Sequence, residues 1–185
     1  MKKIFLLVTI LPCLCKQTRE SPLVFSCSDG VANFFSYAPL EIIKASTNQV
    51  RGAIDISSRT FFFAISVNTF QGFNSGLQQE HFNENYIESD EFPEATFKGK
   101  FIEEVDFSQG GSYEVRSKGI LELHGVKRER IIKGMLTVKD NTLGVSAQFT
   151  VLLEDHNIKV PRVVYQKISP EIEVTLNAIL KPNSE

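Results

Sequence analysis

The sequence predicts an all-β protein: an eight-stranded antiparallel barrel with one helical insertion between strands 3 and 4. Three observations carry this. Eight runs alternate apolar and polar side chains, the period-two signature of a half-buried strand. Most runs are joined by turns short enough to form hairpins. The alternation is interrupted in one place, Gly72 to Phe97, where the pattern turns helical and then resumes.

At 185 residues, 42% hydrophobic and 23% charged, the chain suits one domain with a sizeable core. Its 15 Phe and lack of Trp favour an apolar β interior, because the Phe residues recur within strand-like runs. The N-terminus reads as a signal peptide (residues 1–15): Lys2 and Lys3 precede an apolar run from Ile4 to Leu11, too short to span a membrane. Cys13 and Cys15 suit cleavage after Cys15. The rival reading is a lipoprotein anchored at Cys13 or Cys15, but Pro12 and Leu14 stand where a small residue is expected, which favours plain export to the periplasm or beyond. A polar linker (residues 16–21) leads into the barrel domain (residues 22–185). The mature chain then carries 18 basic against 22 acidic residues, a net charge of −4. That balance disfavours binding to nucleic acid or anionic headgroups by charge. Only Cys27 remains after cleavage, which leaves no intrachain disulfide and reads as a small core residue.

The first strand runs from Leu23 through Tyr37, bent at Asp29-Gly30, where glycine permits a bulge. Pro39 to Thr47 is ambiguous. A second strand spans about Gln49 to Ile56 and turns over Ser57-Ser58-Arg59 into a third, with Phe61, Phe63, Ile65 and Val67 on one face and Phe62 as the exception. Ser75 and Gln78 then form an S-x-x-Q capping box, so a helix is expected from Gly76 to Tyr86. Leu77 with His81, and Phe82 with Tyr86, share adjoining faces, while Glu80 and Glu84 turn to water. Pro93 admits a fourth strand, Ala95 to Val105. A fifth runs from Tyr113 to His124, and Gly125 and Lys127 turn it into a sixth, where Ile132, Gly134, Leu136 and Val138 share a face. Asp140-Asn141 makes a tight hairpin into the seventh, whose apolar face is Val145, Ala147, Phe149, Val151 and Leu153. After a loop with Asp155, His156, Asn157 and Pro161, the eighth strand alternates Ile172, Val174, Leu176, Ala178 and Leu180 with polar residues.

Closing eight such strands into an up-and-down barrel removes every edge and turns the apolar faces inward. A two-layer sandwich would bury the same faces. The inward faces carry small residues near their middles, Gly99, Ser117, Gly119, Gly134 and Ala147, where a sandwich core needs bulk. A barrel around a guest does not, although opposing Phe rings could fill the same gaps. An apolar guest gains about 0.8 kcal/mol per buried methylene, so about ten of them give roughly 8 kcal/mol before ordering costs, on the order of micromolar affinity.

Three segments carry a resemblance: HFNENYIESDEFPEATF (81–97), GILELHGV (119–126) and DHNIKVP (155–161). Together they are similar to the YceI-like family of exported lipid-binding barrels. The resemblance implies a lipocalin-like barrel enclosing a polyisoprenoid or similar lipid. It places His81, Phe82 and Tyr86 on a helical segment flanking the lumen, with Phe97 and Leu121 lining it. Adding the inward faces, the lipid-binding candidates are Phe63, Ile65, His81, Phe82, Tyr86, Phe97, Phe101, Leu121, Phe149 and Leu176. The family often has an Asp followed by His-Ser near the first strand, whereas Cys27-Ser28-Asp29-Gly30 stands here without a His.

The three histidines, His81, His124 and His156, lie on separate elements without the short spacing of a metal motif, and no metal or other cofactor is expected beyond a bound lipid. His81 and His156 are candidates for meeting a headgroup at the barrel mouth. Glu80, Glu84, Glu88, Asp90 and Glu91 form a cluster expected to be solvated. The run Lys127-Arg128-Glu129-Arg130 reads as a hairpin tip in water, able to touch a membrane surface transiently. There is no G-x-S-x-G, CxxC, H-E-x-x-H or Walker-type loop. The expected function is therefore an exported carrier or store for a long apolar lipid, with no enzyme activity and with a homodimer left open; an enzyme acting on a hydrophobic substrate in the same cavity is the alternative.

Overall fold

The computed structural model describes residues 24–183. The expected signal peptide (1–15), the linker (16–21) and positions 22, 23, 184 and 185 lie outside the described residues.

Eight strands close into one antiparallel barrel in sequential order: β1 (Val24–Tyr37), β2 (Ile42–Asp55), β3 (Thr60–Ser66), β4 (Glu94–Phe101), β5 (Gly111–Leu123), β6 (Val126–Lys139), β7 (Thr142–Leu152) and β8 (Glu171–Pro182). Closure is made by β1 against β8, with Ala32 opposite Leu176 and Phe34 opposite Val174. That pairing decides for the barrel over the sandwich. The bend expected at Asp29-Gly30 is a break in register on both sides of β1. Asp140 and Asn141 both take positive φ, 47° and 58°, the backbone that a two-residue hairpin matching the strand twist requires.

Several boundaries differ from the sequence expectation. The ambiguous segment is strand: β2 begins at Ile42, its alternation weakened on paper by the adjacent pair Ile42-Ile43, of which Ile43 is buried and Ile42 exposed. β3 stops at Ser66 and curls into a 3-10 turn, Val67–Thr69, and the first half of β2 pairs instead through an isolated bridge, Ser46 with Gln71. β4 ends at Phe101. Lys127 to Arg130 form no hairpin tip, since β6 begins at Val126 and the turn is His124-Gly125.

The strands leave a seam. β6 and β7 pair only from Lys139↔Thr142 to Gly134↔Ala147, while β6 keeps its pairing with β5 up to Val126 and β7 keeps its pairing with β8 up to Leu152. Beyond Gly134 the two strands diverge. Arginine side chains cross the seam: Arg130 donates to the Thr150 carbonyl at 2.7 Å, and Arg128 donates to the Asp155 carbonyl at 2.7 Å. Both arginines are thereby tied to the protein.

Fully buried Val50, Ile54, Leu136, Leu143 and Leu180 fill the end of the barrel that carries the β2–β3 and β6–β7 turns. The other end carries the helical insertion and the long β7–β8 connection.

Candidate functional site

An apolar cavity of about 570 Å³ occupies the half of the barrel away from that packed end. It exists because bulk is distributed unevenly around the wall. Phe61, Phe63, Phe97 and Phe101 of β3 and β4 pack ring on ring, with centroids 5.0 to 6.3 Å apart. Around the wall from them, Ser117 of β5, Gly134 of β6 and Ala147 of β7 line the cavity and project little into it. The Phe rings therefore fill one wall and leave the other open.

The small inward residues divide into two kinds. Gly99 and Gly119, expected to make room in the lumen, do not line it. They lie opposite each other where β4 and β5 approach closely: a Cβ on Gly99 would fall 2.0 Å from the Lys118 carbonyl oxygen, and one on Gly119 would fall 2.4 Å from that of Lys98. Their smallness serves the backbone, because no side chain fits between the strands there.

All ten candidate residues line the cavity: Phe63, Ile65, Phe97, Phe101, Leu121, Phe149 and Leu176 from the strands, and His81, Phe82 and Tyr86 from the insertion. The insertion is a short α-helix, α1 (Gly76–His81), continued by a π turn over Phe82–Tyr86. Ser75 caps it as expected, its hydroxyl accepting from the Gln78 amide at 3.1 Å. Gln78 reaches back one residue further than a capping box requires, to the Asn74 amide at 3.1 Å. The π turn brings Phe82, Tyr86 and Ile87 all toward the barrel. Phe82 joins Phe34, Phe70 and Phe73 in an aromatic cluster, stacking on Phe34 at 5.4 Å, and this cluster holds the insertion over the lumen. Burial pushes the Tyr86 phenol up from its ordinary value, so it stays neutral.

Sequence reasoning missed part of the lining. Phe34 was reachable, being an inward position of the first alternating strand, whereas Ile43 lies in the segment whose alternation the Ile42-Ile43 pair obscures. Phe70, Phe73, Val164, Lys167 and Ile168 were not, because they lie in irregular segments whose direction no periodicity reports. The strands add only Ser and Thr to the polar part of the lining, whereas Glu41, Ser75, Gln78, His81 and Lys167 come from the mouth segments. Glu41 accepts from Gln78 at 3.0 Å, which ties α1 to the β1–β2 turn.

His156 is not in the lining. It is fully buried, and its Nδ1 faces the carbonyls of Leu123 and Val126, each at 3.3 Å. Its own carbonyl meets Nδ1 of His124 at 3.0 Å, and Nε2 of His124 contacts Glu88 at 2.6 Å. Phe92 packs edge-on against the His124 ring at 4.6 Å, and Gly125, at φ 69°, leaves room for the Phe92 ring. Two histidines far apart in sequence thus join as a clasp that binds the β5–β6 turn to the β3–β4 and β7–β8 connections. This excludes His156 from meeting a headgroup at the mouth. Among the described residues no group of three or more His, Cys, Asp or Glu is placed to hold a metal ion. Burial pushes the His156 imidazole down from its ordinary 6.5, and burial likewise raises the Cys27 thiol.

The clasp unites the three segments that carried the sequence resemblance, and the matching family model, a YceI-like domain, covers residues 29–180. The chain belongs to the YceI-like family. No curated protein matches this YceI-like chain. Solved structures do, at low identity. A polyisoprenoid binding domain from Saccharophagus degradans, implicated in plant cell wall breakdown, superposes with a TM-score of 0.73 at 13% identity, covering 88% of this chain and 100% of that one. BcnA of Burkholderia cenocepacia gives 0.65 at 11% identity over 82% of this chain and 95% of its own. A Campylobacter jejuni YceI protein gives 0.51 at 12% identity over the whole of both chains. At such identities these YceI-like neighbours establish the shared barrel.

Proposed function

We propose that this YceI-like barrel binds a long-chain apolar lipid, a polyisoprenoid by class, and serves as an exported carrier or store for it. The observation that carries the reading is the cavity itself, open at one end and lined chiefly by Phe, Leu, Ile and Val. At roughly 30 Å³ per heavy atom, 570 Å³ accommodates on the order of twenty heavy atoms, so a longer chain would extend past the mouth. Fold similarity to a polyisoprenoid binding domain supports the same class of guest. The ten lining candidates act by apolar contact, with His81 at the mouth beside any polar end of the guest. A carrier also has to meet the surface from which it loads, so transient contact with a membrane belongs to this reading; a homodimer is not required by it.

The test is to purify the protein from its own cells, extract it with organic solvent and analyse the extract by mass spectrometry. A stoichiometric, unmodified apolar lipid is expected. An empty extract from a protein that also takes up no apolar dye would overturn the proposal, and a chemically altered lipid with bound metal would point to an enzyme instead.

A further inference from the structure

Beside the cavity mouth an exposed apolar rim runs together with a segment rich in cations. The β1–β2 turn places Leu40 67% exposed, between exposed Tyr37 and Ile42, which pair across it. Next to it runs the segment from Ile158 to Ile168, held there by the Leu40 amide donating to the Gln166 carbonyl at 2.8 Å. In this segment Val163 is 90% exposed and Tyr165 is also exposed. On the turn's other side, Gln78 bonded to Glu41 brings in α1, whose Leu77 is 60% exposed. Three hydrogen-bonded segments therefore present one apolar rim, and a rim of this kind on a soluble face marks a contact surface.

Its charge names the partner. Residues 158–168 contain Lys159, Arg162 and Lys167 and no Asp or Glu. The nearest carboxylate on the turn, Glu41, is occupied by Gln78 and Asn74. Glu88, Asp90 and Glu91 lie toward the β5–β6 turn, where Glu88 holds His124; Glu154 and Asp155 precede the segment, Asp155 turned to Arg130, and Glu80 and Glu84 lie on the insertion. Surface charges act over about 10 Å at ordinary ionic strength, so the three cations of the segment act locally whatever the net charge of the chain. Exposed aliphatic tips, tyrosines and interleaved cations match the headgroup region of an anionic bilayer. Val164, Lys167 and Ile168 of the same segment line the cavity.

We propose that this rim is a bilayer-docking surface that sets the cavity mouth against anionic lipid. The proposal names the place where the carrier reading requires membrane contact and rests on that reading for its purpose. The test is co-sedimentation of the full chain with phosphatidylcholine vesicles, with and without phosphatidylglycerol, alongside uptake of an apolar dye. Wild type is expected to sediment only with the anionic vesicles. Val163→Asp with Tyr165→Ser, and separately Arg162→Glu, are expected to lower vesicle partition about tenfold or more while leaving dye affinity unchanged, since none of the three residues lines the cavity. Partition unaltered by either variant, equal binding to neutral vesicles, or a protein dimer that the variants dissociate without any vesicle binding would overturn the proposal. A chain that docks but takes up no dye sinks the lipid-binding reading and leaves the docking surface; one that takes up dye and ignores vesicles does the reverse.

Discussion

The guanidinium of Arg130 donates to the backbone carbonyl of Thr150 at 2.7 Å, across a seam where β6 and β7 no longer pair. A side chain thus does what a neighbouring strand does elsewhere in the barrel. Arg130→Ala leaves that carbonyl without its donor and is expected to destabilise the fold by about 1–3 kcal/mol, with Arg130→Lys recovering only part because it cannot fork toward Asp155 as well. Urea unfolding checks this, and an unchanged midpoint would contradict it.

His156 makes stability depend on pH. Its imidazole is held neutral by burial, below the 6.5 it takes in the unfolded chain, so below that pH the unfolded state binds more protons. The stability contribution is complete above about pH 6.5 and is lost as pH falls through that value toward the folded one. Comparing urea midpoints at about pH 7.5 and about pH 5 should show this decline, and His156→Gln should flatten it. A parallel decline in the variant would assign the effect to other groups.

The two kinds of small residue should separate cleanly. Gly99→Ala drives a Cβ into the backbone of β5 and is expected to cost on the order of 3 kcal/mol or more. Ala147→Phe points into the cavity and should leave the midpoint within about 1 kcal/mol while cutting apolar dye binding at least about tenfold. Equal destabilisation by both would mean that Ala147 faces a packed core.

Phe82 anchors the insertion through Phe34, Phe70 and Phe73. Phe82→Ala should lower stability by about 1–3 kcal/mol and speed dye release in stopped-flow displacement, because α1 loses its hold over the lumen. His81→Ala, at the exposed start of the π turn, should leave stability unchanged and weaken a guest with a polar end more than a bare hydrocarbon.

The sequence by itself determined the strand number, the inward faces of β5 to β8, the capped insertion and the family. Each depends on neighbours along the chain: a period of two, a Ser-x-x-Gln cap, an Asp-Asn turn. These signals need no knowledge of what lies across the barrel. Only the tertiary structure decided which gaps between side chains stay open, because that depends on pairs such as Phe61 and Phe97 meeting in space while Ser117, Gly134 and Ala147 leave room farther round the wall. It also decided that Gly99 is small for its backbone, that Arg130 closes a seam rather than tipping a hairpin, and that His124 and His156 join as a clasp. In each case the deciding contact joins different strands or connections, and a pattern along one strand says nothing about the distance to the next.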